Sequence, residues 1–260
     1  MKYGFIGCGN MGGAIARALA KKTKDFMLTD RSGKARVLAQ ELGVSYGTNE
    51  EAAACDRVFL GVKPQMMADV LQSLQGVLMQ KKPVLITMAA GLTMESIEKM
   101  AGARLPVIRI MPNTPVAVGK GIILYCHNDL VDEATMAGVL QDLQFAGMLD
   151  PLEEKHIDAA CAVSGCGPAY AYIFMEALAD GAVSCGVPGA KALQYAAAML
   201  EGAAQMLLQT GLHPGQLKDA VCSPGGSTIA GVKVLEEQGF RGAVMDALGA
   251  AYRRNQELGS

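Results

Sequence analysis

The chain has 260 residues, with 23 Lys and Arg against 25 Asp and Glu, a net charge of −2, 51% hydrophobic residues and no Trp. A balance this close to neutral leaves no basic footprint for nucleic acid. No apolar run reaches the length of a membrane span. The seven Cys, at 8, 55, 126, 161, 166, 185 and 222, show no CxxC pair, and the three His show no ligand spacing. The expectation is therefore reduced thiols in a cytoplasmic protein without a bound metal.

The opening "MKYGFIGCGN" has an apolar part too short for a signal peptide and reads as a strand running into a turn. "MGGAIARALAKK" follows as a helix with apolar positions three and four apart. "FMLTD" is a second strand, and "GKARVLAQELG" a helix closed by Gly43. "RVFLGV" (57–62), "PVLITM" (83–88) and "PVIRIM" (106–111) are further short apolar runs, as in strands buried on both faces of a parallel sheet. "GIILYC" (121–126) adds a strand and residues 131–146 a helix. This alternation predicts an α/β fold, a Rossmann-type doubly wound sheet over residues 1–150. After "MLDPLEE" the β-branched runs give way to Ala-rich helical patterns, which predicts an all-α substrate and dimerisation domain over residues 151–260. From Ala190 to Gln209 only Lys191, Gln194, Glu201, Gln205 and Gln209 interrupt the apolar surface. A helix so apolar needs burial, either under a second subunit or at the centre of a monomeric core.

Gly7-Cys8-Gly9-Asn10-Met11-Gly12 matches G-x-G-x-x-G between a predicted strand and a predicted helix. Gly7 permits the tight turn, Gly9 the approach of a pyrophosphate and Gly12 close packing of helix on strand. The helix N-terminus offers N–H groups to the phosphates. Asp30, at the end of the second strand, suits a ribose hydroxyl and so NADH. Arg31 and Ser32 suit a 2′-phosphate and so NADPH, and the sequence leaves that choice open. "GVKPQ" (61–65) and "MAAGLT" (88–93) also follow strands, where ligands of such sheets bind.

Near the other end, "SPGGST" contains no acid, base or metal ligand, only donors. Gly225 and Gly226 permit a concave set of backbone N–H groups, Ser223, Ser227 and Thr228 add hydroxyls, and the segment leads into a predicted helix. It reads either as an anion nest for a carboxylate or as a plain Ser/Thr helix cap. "AVSGCGPAYAYIFMEALADG" (162–181) places Pro168 in the first turn of another helix.

Together these segments resemble the pyrroline-5-carboxylate reductase family from end to end. The resemblance runs through "GFIGCGNMGGAIA", "GVKPQ", "MAAG", "MPNTP" (111–115), "SGCGPAYAY" (164–172) and "HPGQLKDAVCSPGGSTIAGVKVLE" (213–236). It implies reduction of a cyclic imine, 1-pyrroline-5-carboxylate, to L-proline by NADPH or NADH, in a homodimer that can assemble further. It implies dinucleotide contacts from Ile6, Gly7, Cys8, Gly9, Asn10, Met11 and Gly12, from Asp30, Arg31, Ser32 and Asn49, and from Gly61, Val62, Lys63, Pro64, Met88, Ala89 and Ala90. It implies a substrate carboxylate held by Ser223, Gly225, Gly226, Ser227 and Thr228, with Thr228 near the imine nitrogen. A protonated imine needs a hydride, a proton and positioning, and no metal. Tyr170 and Tyr172 read as packing residues, and Asn113 and Thr114 as either cleft-shaping or turn residues. A β-hydroxyacid dehydrogenase shares the two-domain plan but carries a Lys where this chain has Ala171. A general cyclic imine reductase acting on a different ring, and a dinucleotide-binding redox sensor without turnover, are two further rivals.

Overall fold

The structure, a computed structural model, describes residues 2–258. Eight strands form one sheet in the order β3-β2-β1-β4-β5-β6-β7-β8. The predicted runs become β1 (Tyr3–Ile6), β2 (Phe26–Thr29), β4 (Arg57–Leu60), β5 (Val84–Thr87), β6 (Val107–Pro112) and β7 (Gly121–His127). Two strands have no counterpart among the predicted runs, β3 (Ser45–Tyr46) and β8 (Gly147–Pro151). All neighbouring strands run parallel except β6 and β7, which pair antiparallel.

The sheet is buried on both faces, as its apolar runs require. Tyr3, Phe5, Phe26, Phe59 and Ile86 belong to one core layer. Ile6, Leu60, Leu85, Met67 and Leu71 belong to the other. Phe5 and Phe59 stack with ring centroids 4.4 Å apart. Helices α1 (Asn10–Leu19), α2 (Lys34–Leu42), α3 (Asn49–Ala53), α4 (Met67–Lys81), α5 (Met94–Ala101) and α6 (Glu133–Leu143) connect the strands. Strand order reverses between β1 and β4, and their register sets Ile6 beside Leu60 and beside Thr29 of β2. The crevice at such a reversal is where open α/β sheets bind ligands.

By its internal contacts the chain divides into two compact units, with the border after Cys166. The reason is α7 (Glu154–Ser164), which opens the helical region yet packs on β6 and β7. Ile157 and Cys161 on α7 share a small core with Met111 and Leu124 of those strands. The second unit runs from Gly167 to Ala250 and holds α8 (Gly167–Ser184), α9 (Gly189–Thr210), α10 (Pro214–Ala220), α11 (Ser227–Glu237) and the start of α12 (Phe240–Leu258). From Ala251 onward α12 counts with the sheet unit, where Asn255 Nδ2 donates to the Asp158 carbonyl at 3.2 Å.

Within the second unit α9 is not a core helix. Only Ala192 and Ala196 are buried, while Tyr195 is 58% exposed, Met199 48% and Met206 53%. A central buried helix in a monomeric core therefore does not describe this fold. No helix of the described residues is long and apolar enough to cross a membrane.

Candidate active site

Two cavities lie along the C-terminal ends of β1, β2, β4 and β5. One, of about 670 Å³, is lined by Gly9, Asn10 and Met11, by Gly61 to Gln65 and by Met88 to Ala90. The other, of about 310 Å³, is lined by Ile6 to Gly9, Asp30, Arg31, Ser32 and Asn49 and by Gly61 to Lys63. They share Gly9, Gly61, Val62 and Lys63. Of the residues expected to touch a dinucleotide, all but Gly12 line one or the other.

Gly12 acts from behind. A Cβ there would lie 2.3 Å from the Gly7 carbonyl oxygen, so only glycine lets α1 start against the β1 turn. Gly7 itself has φ +94°, with the backbone of Gly61 against it. A Cβ on Gly9, by contrast, would meet nothing within 4 Å, so the backbone there faces open space. Gly9 is the N-cap of α1, and no side chain caps that helix. Its first N–H groups thus remain for an anion, with the helix dipole behind them. Cys8 is buried, and burial, aided by the Asp30 charge, pushes its thiol up to about 12. It lines the cavity as a neutral thiol.

Asp30 and Asn49 line the smaller cavity. Asp30 Oδ2 accepts the Ser32 hydroxyl at 2.7 Å, while Oδ1 is enclosed and has no hydrogen-bond partner. The Thr29 hydroxyl donates to Asn49 Oδ1, which orients that amide. An unpaired acceptor beside an uncapped helix start and an open glycine is the donor and acceptor pattern that a dinucleotide completes. The residues present therefore fit NAD(P)H.

The second glycine segment lies in the other unit. Gly226 N–H donates to the Ser223 carbonyl at 3.0 Å, and Gly225 has φ +70°. With Pro224 and Gly225 at its centre, this is a type II turn. The N-cap of α11 is Gly226, and no side chain caps the helix. The plain Ser/Thr cap is therefore not what forms. Ser223, Ser227 and Thr228 flank the first-turn N–H groups of α11, which have no side-chain acceptor. The segment is a donor cluster suited to a carboxylate.

Residues 154–258 match the family model described as pyrroline-5-carboxylate reductase dimerisation, and residues 2–91 that described as NADP oxidoreductase, coenzyme F420-dependent. The pyrroline-5-carboxylate reductase of Escherichia coli (strain K12) is 39% identical over 99% of this chain and 98% of its own length. That of Synechocystis is 40% identical over 100% of this chain and 98% of its own. The chain belongs to the pyrroline-5-carboxylate reductase family. A solved family member, the Plasmodium falciparum pyrroline carboxylate reductase with NADP bound, superposes with a TM-score of 0.89 at 32% identity, covering 100% of this chain and 98% of that one.

Two features of this chain are not legible from its sequence as site architecture. Asn113, expected only as a cleft or turn residue, is buried and doubly committed. Its Nδ2 donates to the Ser164 carbonyl at 2.9 Å and its Oδ1 accepts from Ile122 N–H at 2.9 Å. It thereby ties the end of β6 to β7 and to the last residue of α7. Arg109, with its side chain 1% exposed, donates to Asp158 Oδ1 at 2.6 Å and to Glu154 Oε1 at 3.4 Å. Glu154 Oε1 also accepts the Met94 N–H at 2.7 Å, at the start of α5. One buried cation thus joins β6, α7 and α5, the helix that follows the Met88–Ala90 loop. The only sequence signal is an Arg inside the apolar run "PVIRIM".

Proposed function

We propose that this chain reduces 1-pyrroline-5-carboxylate to L-proline, the last step of proline synthesis, with NAD(P)H. When bound, the dinucleotide supplies the hydride that adds to the imine carbon. The chain's own residues bind, orient and protonate. The uncapped start of α1 takes the pyrophosphate, while the Gly61–Pro64 and Met88–Ala90 loops hold the nicotinamide half. Ser223, Gly225, Gly226, Ser227 and Thr228 hold the substrate carboxylate through backbone N–H groups and hydroxyls. Hydrogen bonds to a charged group contribute about 1.5–3 kcal/mol each, so a few of them fix a ring this small. Thr228 also donates its hydroxyl proton toward the imine nitrogen, and solvent restores it. Ala171 provides no base of the kind that oxidation of an alcohol requires, which favours imine reduction over hydroxyacid chemistry.

The observation that carries this reading is the unspent donor cluster of residues 223–228 in a chain whose other end forms an open dinucleotide cavity. The protein works as a homodimer through residues 151–260, and the exposed apolar face of α9 supports that. The seven free cysteines support a cytoplasmic location. Absorbance of the reduced nicotinamide tests the activity directly. Adding 1-pyrroline-5-carboxylate to protein and NAD(P)H consumes the cofactor and yields proline, whereas 1-pyrroline without the carboxylate reacts far more slowly. A protein that binds cofactor but never consumes it would be a sensor, and equal rates with both imines would remove the carboxylate site.

A further inference from the structure

The Asp30 carboxylate is divided between two tasks. Oδ2 accepts the Ser32 hydroxyl at 2.7 Å, and the Lys34 N–H reaches Ser32 Oγ at 3.5 Å, so Ser32 braces the carboxylate from the loop side. Oδ1 is enclosed, lacks any partner and belongs to a residue that lines the 310 Å³ cavity. A carboxylate oxygen withdrawn from water is stabilised only by a donor, and the neighbouring side chains supply none. Asn49 turns its carbonyl to Thr29, and Arg31 is exposed. The charge also reaches the cavity floor, where it helps to raise the Cys8 thiol.

We propose that Asp30, braced by Ser32, makes this chain select NADH over NADPH. The inference rests on the dinucleotide reading of the cavity and goes beyond it. Oδ1 accepts the adenosine ribose hydroxyls, which are donors. A 2′-phosphate at the same place is an acceptor carrying negative charge, and it meets a fixed carboxylate. Ser32, the hydroxyl that would otherwise serve such a phosphate, is already donating to Asp30.

Isothermal titration of the full-length protein with NADH and with NADPH, in the absence of substrate, tests the proposal. Wild type binds NADH at least about tenfold more tightly at low salt, the gain from one charge-assisted hydrogen bond. Higher ionic strength narrows the gap, because screening weakens the repulsion of the phosphate. Asp30→Asn narrows it chiefly by improving NADPH. Ser32→Ala weakens NADH and leaves NADPH unchanged. Tighter binding of NADPH by wild type, or a ratio that Asp30→Asn leaves unaltered, overturns the selection while the dinucleotide site stands. Failure to bind either cofactor overturns the site itself, and the selection with it.

Discussion

The role proposed for Thr228 depends most on a single atom. If its hydroxyl relays the proton, Thr228→Ala lowers kcat by about 10²-fold. Thr228→Ser, which keeps the hydroxyl, retains most of the rate. Steady-state kinetics with saturating imine separates this from a binding role, which would raise KM instead. Asp142 governs stability rather than turnover. It accepts the Tyr3 hydroxyl at 2.6 Å and pairs with Lys2 Nζ at 2.6 Å, and the Arg57 guanidinium lies 3.6 Å away. Burial alone would raise its carboxyl, but those hydrogen bonds and charges together hold it below its ordinary value. A depressed folded pKa means stability that is fully present above the unfolded value, about 3.9, and lost as pH falls through the folded one. Urea denaturation followed from about pH 6 down to about pH 2 therefore shows an acid-labile component. Asp142→Asn abolishes that component and costs about 1–3 kcal/mol at neutral pH.

At the scale of elements, Arg109 is the tie between β6 and α7. Removing Asp158 leaves a cation buried in the sheet, so Asp158→Ala costs about 3–5 kcal/mol by urea denaturation. Arg109→Met costs less. It removes the buried charge, and its two partners, at 28% and 26% side-chain exposure, recover water. Equal losses would place the energy elsewhere. The same region explains what the sequence does and does not reveal. Six strands are legible because strands buried within a sheet are short, mostly apolar runs. β3 contributes two exposed residues to the edge, too few to carry a period. β8, in "GMLDP", pairs with β7 only through a long-range register, and its Asp and Pro read as loop. That loop-like signal sets the expected domain border near residue 150, close to residue 154 where the dimerisation family match begins, whereas the division by contacts follows Cys166. Helical periodicity records that a segment is a helix, not which core it joins, and Ile157 of α7 joins the sheet's. At the cavity beside β1 the motif is legible because Gly7 and Gly12 each answer a local backbone need and Gly9 leaves the backbone open to a ligand. The Asp30–Ser32 pairing leaves no signature of its own. Nor do the Asn113 and Arg109 networks, since side-chain partners distant in sequence have no spacing to read.

For the whole molecule, the exposed face of α9 is the main unbalanced feature. Tyr195, Met199 and Met206 share one stripe of that helix. An apolar stripe of this kind calls for a second copy. Met199→Glu is expected to convert a dimer into monomers, read by sedimentation velocity, whereas unchanged mass would place the interface elsewhere. The central claim, however, concerns two donor clusters, one from each end of the chain, acting on one reaction. A crystal structure of the protein with NAD⁺ and L-proline tests it most directly. The account predicts the nicotinamide against the loops of Gly61–Pro64 and Met88–Ala90, with the proline ring about 3–3.5 Å from it and the carboxylate on the N–H groups at the start of α11. Proline held away from residues 223–228, or Gly9 and Gly226 opening onto separate surfaces even across a subunit boundary, would contradict it.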